Sequence, residues 1–199
     1  MPIRLEPADD LRPLATALLG GGIAIVPTDT VYGICCRASE EAACAEIARL
    51  KGRDPSQPSS VLFADLAAAR ALARDLRADA LLGTGATLIV PNPAGRYPWL
   101  CGATPDRIGL RFAALDPRLA AVLAPLGPLL ATSANVHGGR DPATLEEVPV
   151  ELSGMVDCVV EGGRLTGVPS TVLDLTGAEP VILRAGAPVP HPSRSDPHA

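Results

Sequence analysis

The chain has 199 residues, with 17 Lys and Arg against 22 Asp and Glu for a formal net charge of −5; 47% of it is hydrophobic and only 3% aromatic. That length favours one domain whose core, built from Ala, Leu, Val and Ile, needs neither disulfides nor metal. The acidic balance argues against a protein that holds nucleic acid on a broad basic face, because such affinity comes mainly from Lys and Arg, but it leaves room for a small cationic cleft.

Asp10-Leu11-Arg12-Pro13 reads as a helix start with an acidic cap and Pro in the first turn; the helix runs to Leu19 and stops at Gly20-Gly21-Gly22. Ile23 to Val26 is a continuous apolar run, a buried strand, ending at Pro27-Thr28-Asp29-Thr30 and followed by Val31-Tyr32-Gly33. Ser39-Glu40-Glu41 opens a second helix with carboxylates at its favourable end. It ends near Lys51, with Gly52 suited to the position just beyond the cap. Val61 to Ala64 is a strand, and Asp65 caps a helix reaching about Arg77. Thr87 to Val90 and Ile108 to Phe112 are strands, Asp116 to Leu123 is helical, and Leu129 to Thr132 is a buried strand. Thr144-Leu145-Glu146-Glu147 starts a short helix, and Cys158 to Glu161, Thr171 to Leu175 and Val181 to Leu183 are strands.

Helices alternate with strands early and strands cluster late. This is an α/β single domain over 1–188, with a twisted, mixed, partly parallel sheet flanked by helices. The Pro-, Ser- and His-containing stretch 189–199 reads as a disordered tail. The segment Pro91 to Pro105, rich in Pro and Gly, reads either as a flap over a site or as a surface loop whose Trp99 packs down. No basic stretch precedes an apolar run at the N-terminus, so no signal peptide is expected, and no apolar run approaches the roughly 18–20 residues of a membrane helix. Cys35, Cys36, Cys44, Cys101 and Cys158 lack a disulfide rhythm or zinc spacing. They read as reduced, mostly buried thiols of a cytoplasmic protein, and nothing near the adjacent Cys35-Cys36 supports a redox role.

Lys51-Gly52-Arg53 and Ser133-Ala134-Asn135, far apart in sequence, look like halves of one pocket. Two cations and two small hydrogen-bonding groups suit a triphosphate. Each half also has a plainer reading: cations favour a helix C-terminus, and Ser133 and Asn135 can cap the turn that follows. Pro27-Thr28-Asp29-Thr30 lies at the carboxyl end of a buried strand, where open α/β sheets bind ligands. Beside it, Tyr32 would form an amphipathic wall and Gly33 would let the backbone approach. Arg111 interrupts an apolar strand, so it should face the cleft, and a buried guanidinium needs an anion from the protein or from a substrate. Arg184 repeats the pattern.

Together PTDTVYG (Pro27 to Gly33), KGR (Lys51 to Arg53), IGLR (Ile108 to Arg111), ATSAN (Ala131 to Asn135), PSTVLDL (Pro169 to Leu175) and ILRAGA (Ile182 to Ala187) resemble the YrdC-like family of L-threonylcarbamoyladenylate synthases, in the family's order. The resemblance implies that L-threonine takes up bicarbonate or CO2, and that the new carboxylate attacks the α-phosphate of ATP to give threonylcarbamoyl-AMP and pyrophosphate. A downstream threonylcarbamoyl-transferase complex would then modify an adenosine beside a tRNA anticodon, with direct tRNA binding by this chain weak. By resemblance, Lys51, Arg53, Ser133 and Asn135 are catalytic and, with Gln57 and Arg184, hold ATP. Thr30, Arg111 and Ser170, with the Tyr32 wall, hold threonine. Mg²⁺ would be carried in on ATP, with no dedicated metal cage and no covalent nucleophile.

The chain departs from the family pattern at several places. Asp54 stands where Pro is usual, Gln57 where Lys or Asn is common, Gly83 to Leu88 where W-P-G-P-L-T is common, and Arg107 where a small hydroxyl residue is frequent. Asp54 and Gln57 lower the positive charge near the expected triphosphate. Competing readings are a non-catalytic RNA-binding or ribosome-associated module on the same fold, which the acidic charge disfavours, and a paralogue with a drifted carbamoyl-adenylating substrate.

Overall fold

The computed structural model describes residues 1–189 except Pro7, Pro55 and Asp75, and of Leu76 only the backbone. In chain order its elements are β1 (Ile3–Leu5), α1 (Arg12–Leu19), β2 (Ala24–Pro27), β3 (Tyr32–Arg37), α2 (Glu41–Leu50), β4 (Ser60–Phe63), α3 (Leu66–Ala73), α4 (Leu76–Leu81), β5 (Ala86–Pro91), β6 (Arg107–Phe112), α5 (Pro117–Leu123), β7 (Leu129–Ser133), α6 (Val150–Ser153), β8 (Cys158–Val160), β9 (Thr171–Asp174) and β10 (Val181–Arg184). The strands form one mixed sheet in the order β1-β8-β2-β3-β7-β4-β6-β5-β9-β10. Pairs β1–β8, β2–β8, β4–β6 and β5–β9 are parallel; β2–β3, β3–β7, β4–β7, β5–β6 and β9–β10 are antiparallel. This is the α/β, mixed-sheet class expected from the sequence.

Strand alternation divides the core between two faces. On the first face lie Ile25, Ile34, Val61, Phe63, Leu88, Val90, Ile108 and Leu110, packed with buried residues of α2, α3 and α4. On the second, Ala24, Val26, Cys35, Leu62 and Leu129 pack with Leu14 and Leu18 of α1 and Leu119 and Leu123 of α5. Among the described residues, the strands that α1 touches most are β2, β3 and β8, while α3 and α4 lie over β4, β5 and β6. The second face is therefore covered at one end of the sheet, and the β6-β5-β9-β10 end lacks a helix above it.

Local chemistry fixes the helix ends. Asp65 Oδ1 accepts from the Ala67 N–H at 2.7 Å and the Ala68 N–H at 3.1 Å. Asp116 caps α5 in the same way ahead of Pro117. α2 ends in a Schellman turn: the Gly52 N–H donates to Arg49 O at 3.0 Å and the Arg53 N–H to Ala48 O at 2.9 Å. Gly52 there has φ +61°, which a side chain would strain.

Several boundaries differ from the sequence reading. β1 and β3 were not anticipated; β3 lies between β2 and β7, pairing with both along its length. The single helix expected from Asp65 to Arg77 is two, because Arg74 leaves α3 in the left-handed region at φ 47°. Asp10 does not cap α1 as its N-cap residue: Leu11 holds that position, and Asp10 instead accepts from the Arg12 N–H at 3.0 Å. The helix expected at Thr144 is a 3-10 turn, Leu145–Glu147, followed by α6.

The Pro91–Pro105 segment takes the packed-down alternative. Leu100 and Cys101 are buried, the Ser59 N–H donates to Leu100 O at 2.8 Å, and the Trp99 indole N–H donates to Ala38 O at 3.0 Å. All five cysteines are free and buried. No helix among the described residues is long and apolar enough to cross a membrane. Val189 packs against the core; the rest of the expected tail, 190–199, lies outside the described residues.

Asp65→Ala should leave the fold intact and lower stability by about 1 kcal/mol through loss of the α3 cap. Urea unfolding should show a lower midpoint at unchanged slope.

Candidate functional site

The uncovered part of the second sheet face is the floor of a cleft of about 400 Å³, a size usual for small-molecule sites. Strand parity decides what lines it. Arg107, Gly109 and Arg111 alternate with buried Ile108 and Leu110 along β6, so both arginines face the cleft with a glycine between them. Thr87 and Ile89 of β5, Ser60 and Leu62 of β4, Ala131 and Ser133 of β7, and Val172 of β9 complete the floor. The register of β10 shifts between Ile182 and Arg184, and both Leu183 and Arg184 reach the cleft.

At one place Arg111 Nη2 is held by Asp29 Oδ1 and, at 2.9 Å, by Thr30 Oγ1. The anion that the buried Arg111 needs is thus supplied within the protein by Asp29. Burial pushes the Arg111 guanidinium below its ordinary value; Asp29 opposes this and Arg184 adds to it. The group stays charged, as arginine does in proteins. Arg184 donates from Nη2 to Ser170 O at 2.9 Å and to Ser170 Oγ at 3.2 Å, and the Ser170 and Thr87 hydroxyls are 2.8 Å apart. Arg53 hydrogen-bonds Pro58 O, and its guanidinium is lowered first by burial and then by Arg184. Arg107 reaches Asp174 Oδ2 at 3.2 Å. Four arginines therefore line the cleft, and Asp141 is the only carboxylate lining it among the described residues.

The KGR and SAN segments meet, but not as two arms around an open space. The Lys51 ammonium is buried and uses its three protons on Ser133 O, on Asn135 O at 2.6 Å and on Asn135 Oδ1 at 2.8 Å. The Lys51 carbonyl accepts from the His137 N–H at 2.8 Å. Asn135 Nδ2 donates to Gly139 O at 2.7 Å and Asp141 Oδ1 at 3.1 Å, and Ser133 Oγ donates to Asn135 Oδ1 at 2.8 Å. Lys51 and Asn135 thus form a latch behind the cleft wall, while Arg53, two residues on around the Schellman turn, lines the cleft. Lys51 therefore does not present its ammonium to a ligand as the sequence suggested: it is 3% exposed. Burial, then the Arg53 charge, pulls its ammonium down to about 8.

Tyr32 is a second correction. Parity places it on the first face, away from the cleft, with Gly33 on the cleft side. It is fully buried, and its hydroxyl donates to Glu161 Oε1 at 2.8 Å and accepts from the Gly162 N–H at 2.8 Å. It is not a wall of this site. Thr30 is buried and accepts a hydrogen bond from Arg111, whereas Gln57, Ser133, Ser170, Arg111 and Arg184 line the cleft. The sequence reading gave no binding role to Arg107, Thr87, Asp141 or the Asp29 partner. Arg107 and Thr87 could have been found by counting every second residue from Arg111 on β6 and along β5.

A family model named for Sua5, YciO and YrdC and described as telomere recombination matches residues 16–186. A Pyrococcus abyssi protein named threonylcarbamoyl-AMP synthase is 30% identical over 183 residues, 88% of this chain and 54% of its own length. Escherichia coli YciO, named as uncharacterized, is also 30% identical, over 83% of this chain and 84% of its own. The crystal structure of P. abyssi Sua5 complexed with L-threonine superposes with a TM-score of 0.82 at 28% identity, covering 94% of this chain and 57% of that one. The crystal structure of E. coli YciO gives 0.77 at 25%, covering 94% and 95%. The chain thus spans about half the length of the P. abyssi relative and nearly all of YciO.

Lys51→Met should cost roughly 1–3 kcal/mol by leaving buried oxygens without a donor, and Arg53→Ala much less; urea midpoints would separate the two. The depressed Lys51 value also sets a pH dependence. Between pH 8 and about 10.5 the unfolded chain keeps a proton on this lysine that the folded chain has released, so the Lys51 contribution to stability rises with pH in that window. The thiols of Cys35, Cys36, Cys101 and Cys158, held above the ordinary thiol value, work the other way in native and variant chains alike. Unfolding followed across the window should therefore show the native chain gaining stability relative to Lys51→Met as pH rises.

Proposed function

This chain belongs to the Sua5/YciO/YrdC family, and we propose that it is an L-threonylcarbamoyladenylate synthase, a nucleotidyltransferase acting in the cytoplasm on L-threonine, bicarbonate or CO2, and ATP. The observation that supports this most is the set of four guanidiniums lining one cleft of an otherwise acidic chain. A site of that charge suits a substrate with several anionic groups. A P. abyssi relative of the same fold was crystallised with L-threonine, a molecule whose carboxylate matches a guanidinium fork.

In this reading Arg111, pinned by Asp29 and Thr30 on one side of its fork, receives the threonine carboxylate with Nη1, which makes no hydrogen bond among the described residues. Ser170 lies beside it on the cleft floor. The neutral amine of threonine bonds to CO2 and releases a proton to solvent, giving a carbamate. A carbamate oxygen then bonds to the α-phosphorus of ATP as the bond from that phosphorus to the bridging oxygen breaks. Threonylcarbamoyl-AMP and pyrophosphate result. Arg53 and Arg184, held by backbone and Ser170 contacts, offset the charge that grows on the leaving pyrophosphate. Ser133 and Gln57 line the same wall. Lys51 and Asn135 act from behind by fixing the Ser133 backbone. Among the described residues no group of three or more His, Cys, Asp or Glu could hold a metal ion. Asp141 offers a single carboxylate, so Mg²⁺ would come bound to the phosphates and there supply neutralising charge. The product would pass to a complex that modifies tRNA.

Purified protein with ATP, Mg²⁺ and bicarbonate should release pyrophosphate only when L-threonine is added. Failure of that release, with ATP still bound, would overturn the reading and favour a drifted substrate, since the identity to YciO equals that to the synthase. Arg111→Lys keeps the charge and loses the fork. It should raise the threonine KM roughly tenfold or more, with the ATP KM changed by less than about twofold.

A further inference from the structure

Two thiols meet at the opposite end of α2 from Arg53. Cys36, on β3, and Cys44, in the first turn of α2, bring their Sγ atoms to 3.6 Å. Cys36 is 0% exposed and Cys44 5%. Cys44 Sγ also lies 3.7 Å from Arg37 O, and Trp99, whose indole N–H donates to Ala38 O at 3.0 Å, packs over this corner. Strand parity matters here too: Cys36 belongs to the first face, toward α2, whereas Cys35 belongs to the second, with Cys158. The neighbours Cys35 and Cys36 point to opposite sides of the sheet, so the competent partner of Cys36 is eight residues away in sequence rather than adjacent.

We propose that Cys36 and Cys44 form an oxidisable dithiol that a small peroxide closes to a disulfide. The Cys44 thiolate takes an oxygen from hydrogen peroxide, giving a sulfenic acid and water. The Cys36 sulfur then attacks the Cys44 sulfur, the S–S bond forms, and the hydroxyl leaves as a second water. Overall, two thiols and one peroxide give one disulfide and two waters; both sulfurs are oxidised and both peroxide oxygens reduced. The sulfurs must close from 3.6 Å to the roughly 2.0 Å of an S–S bond, and the burial of both thiols admits only a small oxidant. The hydrogen bond from Cys36 holds the Cys44 thiol below its ordinary value, with Trp99 adding to this, while the same contact and burial push Cys36 up. The greater exposure of Cys44, 5% against 0%, together with this direction, assigns Cys44 as the sulfur attacked by peroxide and Cys36 as the resolving one. The bond would fasten to β3 the first turn of the helix whose other end presents Lys51 and Arg53.

The test treats the folded, reduced full chain with one equivalent of hydrogen peroxide. Intact mass should fall by about 2 Da and recover with dithiothreitol. Tryptic mapping should link the peptide ending at Arg37 to the peptide spanning 38–49, and Trp99 fluorescence should fall and recover in parallel. Cys36→Ser and Cys44→Ser should each abolish the mass loss, and Cys35→Ser should retain it, with far-UV circular dichroism confirming the fold of all three. A native chain that stays unreactive, gains oxygen on separate cysteines, or links any other pair would overturn the proposal. These readouts do not involve ATP or threonine, so they stand or fall apart from the synthase reading.

Discussion

A ten-stranded sheet presents more face than its helices cover. On the first face α2, α3 and α4 spread across the strands, but on the second the helices that pack among the described residues are α1, over β8, β2 and β3, and α5 beside it. The remaining stretch from β4 to β9 is therefore open on this face and backed by core on the other, with the exposed edge strand β10 beside it. Everything that the cleft displays follows from the period-2 geometry of those strands. Leu110 is fully buried for the same reason that Arg111 is in the cleft. A one-residue slip in β6 would exchange the two, and burying Leu, Ile and Val on the first face fixes the register against it.

The same geometry concentrates charge. Arg53, Arg107, Arg111 and Arg184 converge although the chain as a whole is acidic, and after burial the Arg184 charge lowers both the Arg53 and the Arg111 guanidinium. Like charges so placed oppose folding, and the buried Nε atoms of Arg53, Arg107 and Arg111 have no hydrogen-bond partner among the described residues. Asp29 and Asp174 offset part of this. The proposed polyanionic substrate would relieve what remains.

Much of this was legible in the sequence wherever one signal acted alone. Asp65 and Asp116 mark the starts of α3 and α5, Gly52 marks the end of α2, and the apolar runs at 108–112 and 129–132 are strands. The misses come where signals overlap. β3 carries Gly33, Cys35 and Cys36 and ends only a few residues before α2 begins, so neither length nor composition announces it. α3 ends early because Arg74 adopts a left-handed backbone, which nothing in an arginine foretells. In the site, residue type pointed Arg111, Arg184 and Ser170 toward a cleft, and all three line it. It misled for Tyr32, because side-chain character says nothing of parity, and parity requires knowing that β3 exists.

The two short segments that first suggest a nucleotide pocket illustrate a more general point. KGR and SAN come together not by facing one ligand but by bonding to each other. Lys51 exhausts its donors on Ser133 and Asn135, and Asn135 exhausts its amide on Gly139 and Asp141. Such a closed set of buried hydrogen bonds is costly to leave half made, so each segment restricts what the other can be. The Schellman turn then converts this latch into a site. Gly52 reverses the chain, leaving Lys51 in the wall and delivering Arg53 to the cleft beside Arg184. A lysine at 51 can thus be indispensable to the cleft without touching anything inside it, and an arginine two residues later can line the cleft while contributing little to the fold.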